Sequence, residues 1–100
     1  MGGLDCSNFT SWVYNYGFGI RFSSNINRQA LEAGRRLVGS EALAPGDMIF
    51  LYDSGHKEIV HVAIYIDDQT VIDSTETSVQ IRSFSGRYTS DYAWARRIIE

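Results

Sequence analysis

Large apolar side chains near the start of the chain fall at Phe9, Trp12, Val13 and Tyr16, the i, i+3, i+4, i+7 spacing of one buried helical stripe. Asp5 suits the N-cap of that helix, and Gly17 with Gly19 its end. Cys6 is then the first helical residue and borders the stripe. A second helix is expected from Ser24 or Asn25 to about Leu37. Ile26, Ala30, Ala33 and Leu37 lie on one of its faces, Arg28, Glu32, Arg35 and Arg36 lie off it, and Gly39 closes it. After that the period changes to two. Pro45-Gly46-Asp47 reads as a tight turn, Met48–Tyr52 as a continuously apolar strand and Asp53–Lys57 as a polar turn. Ile59–Ile66, Thr70–Ser74, Val79–Phe84 and Ala93–Ile99 read as further strands, with a turn at Asp67-Asp68. Helices first and an antiparallel meander second is the α+β pattern, with the helices on one face of the sheet and the other face expected to meet solvent.

The chain has 100 residues, with nine Lys and Arg against twelve Asp and Glu, a net charge of −3, and 44 % apolar residues. That excludes disorder and fibrous repeats, and the length fits a single domain over residues 1–100 with one core. The basic residues are scattered, adjacent only at Arg35-Arg36 and Arg96-Arg97, so nucleic acid is not an expected partner. No apolar run nears the roughly 20 residues of a membrane helix. Met1–Asp5 lacks the basic-then-apolar pattern of a signal peptide, so the chain is expected to stay inside, to be part of something larger, or to be exported by another route. One cysteine rules out an internal disulfide, and one Cys with two His at no ligand spacing makes zinc unexpected.

The question is then whether that cysteine carries chemistry. At a helix start it feels roughly half a positive charge from the macrodipole, which favours the nucleophilic thiolate, although Asp5 beside it opposes the effect. A lone cysteine is by default a small apolar residue, so its neighbours must decide. In the strand Val60–Tyr65, His61, Ala63 and Tyr65 share one face, and Val60, Val62 and Ile64 the other. A histidine in an apolar strand is costly unless its ring nitrogens find partners, and on this strand alone a satisfied core histidine is the favoured reading. A three-residue hairpin loop, Ile66–Asp68, would set His61 opposite Asp73, where a carboxylate could fix the tautomer and angle of the imidazole. A two-residue loop would instead pair His61 with Ser74 and turn Asp73 away, and Asp73 reads equally well as a strand-end turn former. His56 is read as solvated and Asp47 as a turn residue.

Asp5-Cys6-Ser7 at a helix start, then Pro45-Gly46-Asp47-Met48-Ile49-Phe50, then His61-Val62-Ala63-Ile64-Tyr65, resemble the NlpC-type cell-wall peptidases. These are papain-like cysteine peptidases of bacteria and their phages. The resemblance implies a Cys-bearing helix packed on a small antiparallel sheet that bears the His. It implies hydrolysis of amide bonds in peptidoglycan stem peptides, commonly between the γ-carboxyl of D-glutamate and a diamino acid. By motif, Cys6 matches the nucleophile, His61 the general base, Asp73 the third polar residue, and Asp5 and Ser7 the residues that contact the substrate peptide. No metal or organic cofactor is implied. The partner is the stem peptide, the protein a monomer or part of a larger chain, and the location the bacterial wall or exterior.

Four features depart from the family pattern. Asn8 replaces a glycine. Val60 replaces a serine and removes a polar contact. Asp73 replaces a histidine and brings a negative charge that favours the imidazolium. An upstream tyrosine expected to help bind the oxyanion has no counterpart, a loss worth roughly 10²–10³ in rate. Alternatives are an amidase that cuts a different wall amide, a non-catalytic peptidoglycan-binding module of the same fold, and a plain structural domain.

Overall fold

The computed structural model describes residues 6–38, 41–74 and 78–99. The expectations for Asp5 as N-cap and substrate contact, and for Gly39 as a helix end, lie outside the described residues.

Helix α1 spans Cys6–Phe18, but only half of the expected stripe faces the core: Phe9 is buried and Val13 packs against it. Ser7, Phe9, Thr10 and Tyr14 are buried, while Trp12 and Tyr16 are 52 % and 73 % exposed. Hydroxyl groups with waiting partners explain the rotation. Thr10 Oγ1 lies 3.0 Å from both the Ser7 carbonyl oxygen and Gln29 Oε1. Tyr14 donates to the Gly46 carbonyl. A satisfied hydroxyl enters a core at little cost, so pairing overrides the ranking by side-chain hydrophobicity.

Helix α2, Ile26–Glu32, starts where Asn25 caps it, the Asn25 Oδ1 accepting from the amides of Asn27 at 3.0 Å and Arg28 at 3.1 Å. It stops well short of the expected Leu37. Gly34 adopts φ +55°, and a Cβ there would stand 2.2 Å from the Arg97 carbonyl oxygen. The chain then enters β1, Arg35–Arg36, which pairs with β6, Tyr92–Arg97. The buried guanidinium of Arg96 closes the helix end by donating to the carbonyls of Ala30, Ala33 and Gly34.

Between them run β2 (Met48–Tyr52), β3 (Ile59–Asp67), β4 (Thr70–Ser74), β5 (Val79–Ser83) and the short helix α3 (Arg87–Ser90). The sheet order is β1-β6-β2-β3-β4-β5, every pair antiparallel. The expected five-strand meander holds for β2 to β5 only; the last strand, β6, returns to the β2 edge instead of following β5.

Strand β2 is apolar at every position because the sheet is covered on both faces. On one face Phe50, Met48, Val62 and Ile64 pack with Phe9, Tyr14, Ala30 and Ala33 of the helical side. On the other Ile49, Leu51, Ala63, Tyr65 and Val71 pack with Tyr88, Leu43 and Phe84. The second face was expected to meet solvent. The segment between β5 and β6, which holds α3, folds back and covers it. Asp47 is also more than a turn residue. It is 2 % exposed and accepts from Arg97 at 2.9 and 2.8 Å, which ties the end of β6 to the turn that opens β2.

Candidate active site around His61

Two irregularities in the sheet place His61. Leu51 pairs with His61 but Tyr52 with Ile59, so Val60 bulges out and is 45 % exposed. In the β3–β4 hairpin, Asp67 pairs with Thr70, then Tyr65 with Val71 and Ile64 with Ile72. The loop is therefore Asp68-Gln69, and Ile66 is an extra residue in β3. Neither of the two loops weighed above is the one formed. Continued by one residue, this register sets Asp73 beside Ala63, and His61 becomes its diagonal neighbour on the same face.

The diagonal is short enough to bond. His61 Nε2 lies 3.0 Å from Asp73 Oδ2 and 2.8 Å from the hydroxyl of Tyr88, whose ring meets the imidazole edge-on at 5.8 Å. Tyr88 donates to Asp73 Oδ2, and Arg82 Nε donates to Asp73 Oδ1 at 2.8 Å. Asp73 is 2 %, Tyr88 3 % and His61 9 % exposed. The carboxylate is thus paired on both oxygens, as a buried charge must be.

The titration behaviour follows from these contacts. Burial pushes the His61 imidazole below its ordinary value, the hydrogen bond and charge of Asp73 pull it partly back, and Arg87 and Arg82 add to the lowering. Burial pushes the Asp73 carboxyl up, but the hydrogen bonds from Tyr88, Arg82 and His61 outweigh it and hold it below the usual carboxylate value. Burial first and Asp73 second push the Tyr88 phenol far up, so it remains a protonated donor.

Cys6 opens α1, half-buried, and packs against the helical-side cluster, which includes Val62 next to His61 on the strand. By alternation Val62 and His61 point to opposite faces. Among the described residues the imidazole's hydrogen bonds go to Asp73 and Tyr88. The structure therefore brings His61 and Asp73 together, and Cys6 packs against the helical-side cluster. Ser7 is buried in the first turn of α1, its carbonyl accepting from Gln29 Nε2 at 2.8 Å. His56 sits in the polar turn, stacked on Tyr52 and 3.2 Å from Asp91. Among the described residues no group of three His, Cys, Asp or Glu converges as metal ligands would, and no helix is long and apolar enough to cross a membrane.

Sequence reasoning missed Tyr88 and Arg82. Arg82 had a signal, since across the β4–β5 pairing it lies opposite Val71 and hence diagonal to Asp73 on one face. Tyr88 had none, because no periodicity marks the four residues of α3.

The NlpC/P60 family profile matches residues 1–98. A γ-D-glutamyl-L-lysine dipeptidyl-peptidase of Bacillus cereus is 37 % identical over 101 residues, covering 97 % of this chain and 29 % of that protein. The crystal structure of an NlpC/P60 family protein from Bacillus cereus superimposes with a TM-score of 0.82 at 34 % identity, over 98 % of this chain and 32 % of that one. The NlpC/p60 domain of the peptidoglycan hydrolase SagA gives 0.71 at 29 % identity, over 95 % of this chain and 77 % of that one. The chain spans less than a third of the length of the first two. Matched over nearly all its residues, and built like those structures from helices on an antiparallel sheet, this chain belongs to the NlpC/P60 family.

Proposed function

We propose that this domain is a cysteine peptidase that hydrolyses an amide bond in peptidoglycan stem peptides, at the γ-D-glutamyl–diamino acid linkage. The observation that carries the reading is the buried His61–Asp73 pair at 3.0 Å, on the strand whose His61-Val62-Ala63-Ile64-Tyr65 motif resembles the family's base-bearing strand. The printed activity of the 37 % identical relative supports the choice of bond. Both hydrogen bonds to the imidazole use Nε2, which leaves Nδ1 as the nitrogen for a thiol to reach.

The chemistry balances with no added group. Nδ1 of His61 takes the Cys6 proton, and the thiolate adds to the carbonyl carbon. The C–N bond breaks as the imidazolium returns the proton to the leaving amine, which gives a thioester. His61 then removes a proton from water, whose oxygen displaces the Cys6 sulfur and releases the acid. The Cys6 amide at the helix start supports the oxyanion, and Asp5 and Ser7 contact the peptide. The site of action is the bacterial wall or exterior, and the domain acts as a monomer or within a longer chain.

One observation favours a second reading, a wall-binding module without turnover: Cys6 is half-buried and packs against the helical-side cluster as a small apolar residue would. An assay on purified muropeptides separates the two. Wild type is expected to release fragments ending at the γ-D-glutamyl carboxyl, seen by mass spectrometry, and Cys6→Ala to release none. Cys6 is also expected to react with iodoacetamide at pH 6 well ahead of free cysteine. Equal cleavage by Cys6→Ala overturns the peptidase reading, and an inert thiol with no cleavage selects the binding module.

A further inference from the structure

The cluster beneath β3 holds more than a base and its orienting acid. Nε2 of His61 has two polar neighbours, Asp73 Oδ2 at 3.0 Å and the Tyr88 oxygen at 2.8 Å. The Tyr88 proton is committed to Asp73, so towards Nε2 that oxygen presents a lone pair. Both neighbours of Nε2 are then acceptors. In the neutral imidazole the proton must sit on Nε2, and Nδ1 is left as the basic nitrogen.

Asp73 can play this part only if it remains a carboxylate without drawing the imidazole into a permanent ion pair. A carboxylate facing histidine alone would favour the imidazolium and leave no base. Here Oδ1 is taken by Arg82 at 2.8 Å and Oδ2 is shared between His61 and Tyr88. Tyr88 is itself fixed by ring contacts with His61 at 5.8 Å and Phe84 at 6.5 Å. Arg82, whose side chain is 38 % exposed, is held by that bond.

We propose that Tyr88 and Arg82 are positioning residues of the His61 base, which hold Asp73 charged but shared so that His61 rests neutral with its proton on Nε2. The proposal rests on the reading of His61 as the base, and it names two residues outside the nucleophile, base and orienting acid. The charged and titratable groups around the imidazole are Asp73 from β4, Arg82 from β5, and Arg87 and Tyr88 from α3. From β2 its partner is Leu51, and Cys6 of α1 packs against the helical-side cluster.

The test is a ¹⁵N and ¹H NMR titration of His61 in the full chain, with no substrate present. Wild type is expected to show the Nε2–H tautomer. Arg82→Gln and Tyr88→Phe are each expected to raise the His61 titration midpoint by roughly half a pH unit or more, because each leaves Asp73 freer to stabilise the imidazolium. Arg82→Lys, which keeps the charge, is expected to return the midpoint towards wild type, a rescue that lost packing would not give. Arg82 is partly exposed, so its variants keep the proposal testable even where Tyr88→Phe unfolds. An unchanged midpoint in Arg82→Gln, or an Nδ1–H tautomer in wild type, overturns the proposal. Muropeptide cleavage is read separately. Titrations as expected without cleavage would remove the peptidase reading and leave the poised imidazole standing.

Discussion

Asp73 accepts from His61, Tyr88 and Arg82 while 2 % exposed, so Asp73→Asn removes a charge without changing shape. An amide can turn its NH₂ towards Nε2 and favour the proton on Nδ1, the wrong tautomer for accepting from a thiol. Cleavage by Asp73→Asn is expected to fall roughly 10²-fold or more, with binding of the muropeptide little changed. The pH dependence has a definite sign. Burial lowers the His61 value below its ordinary 6.5, so the neutral base persists below that pH and the acid limb of cleavage is expected there. The unfolded chain binds this proton at higher pH than the folded one, so stability is present above 6.5 and is lost as pH falls through the folded value. Asp73 acts in the same direction: its carboxyl is held below the ordinary 3.8, and its contribution disappears as pH falls from there. A cleavage profile whose acid limb lay above pH 6.5 would contradict the buried-imidazole account. At this scale the sequence singled out His61 and Asp73 as candidates but not the register that joins them. The diagonal bond depends on an extra residue at Ile66, and bulges leave no mark in an alternating apolar strand.

Elements were legible where one signal dominated. The bounds of Met48–Tyr52 and Thr70–Ser74 were read without error, the first because its apolar run lies between turn residues and the second because the turn at Asp67-Asp68 precedes it. Helix α2 was overrun because the Ala33 and Leu37 spacing continues past its end. The true stop is a close approach between two backbones, visible only when β6 is in place. A Cβ at Gly34 would stand 2.2 Å from the Arg97 carbonyl oxygen at φ +55°. Gly34→Ala must therefore either strain an L-residue in the left-handed region or push β6 away from the α2 end. The cost is expected to be about 2 kcal/mol or more, lowering the melting temperature by roughly 10 °C in a circular dichroism scan. A melt within a degree or two of wild type would mean that this contact does not set the turn. Helix α1 makes the opposite error instructive. Its length was read well, but its rotation was not, because Thr10 and Tyr14 are drawn in by Gln29 and Gly46, partners far along the chain.

The whole molecule is a sheet with a cluster on each face, and adjacent residues of one strand serve different clusters. Phe50 packs with the helical side, Ile49 with the face that carries Tyr88. The open second face expected from sequence would have made one cluster sufficient; the fold-back of α3 makes the sheet a shared wall instead. Strain or loss on one side is then felt on the other through the same five residues of β2, and the molecule should unfold as one unit. Phe50→Ala is expected to cost about 3–5 kcal/mol and Ile49→Ala about 2–5. Against a net stability of roughly 5–15 kcal/mol for a domain of this kind, either variant approaches the limit of folding. Methyl resonances of Val62 and Ala63, neighbours that face opposite clusters, report on the two sides separately. In both variants the two methyls are expected to lose their native signals at one shared denaturant midpoint. A Phe50→Ala protein in which Val62 melts early while Ala63 keeps its native signal would show two independent cores. The His61 network could then persist on a half-unfolded chain. A single midpoint ties the poise of that histidine to the packing of the helix that carries Cys6.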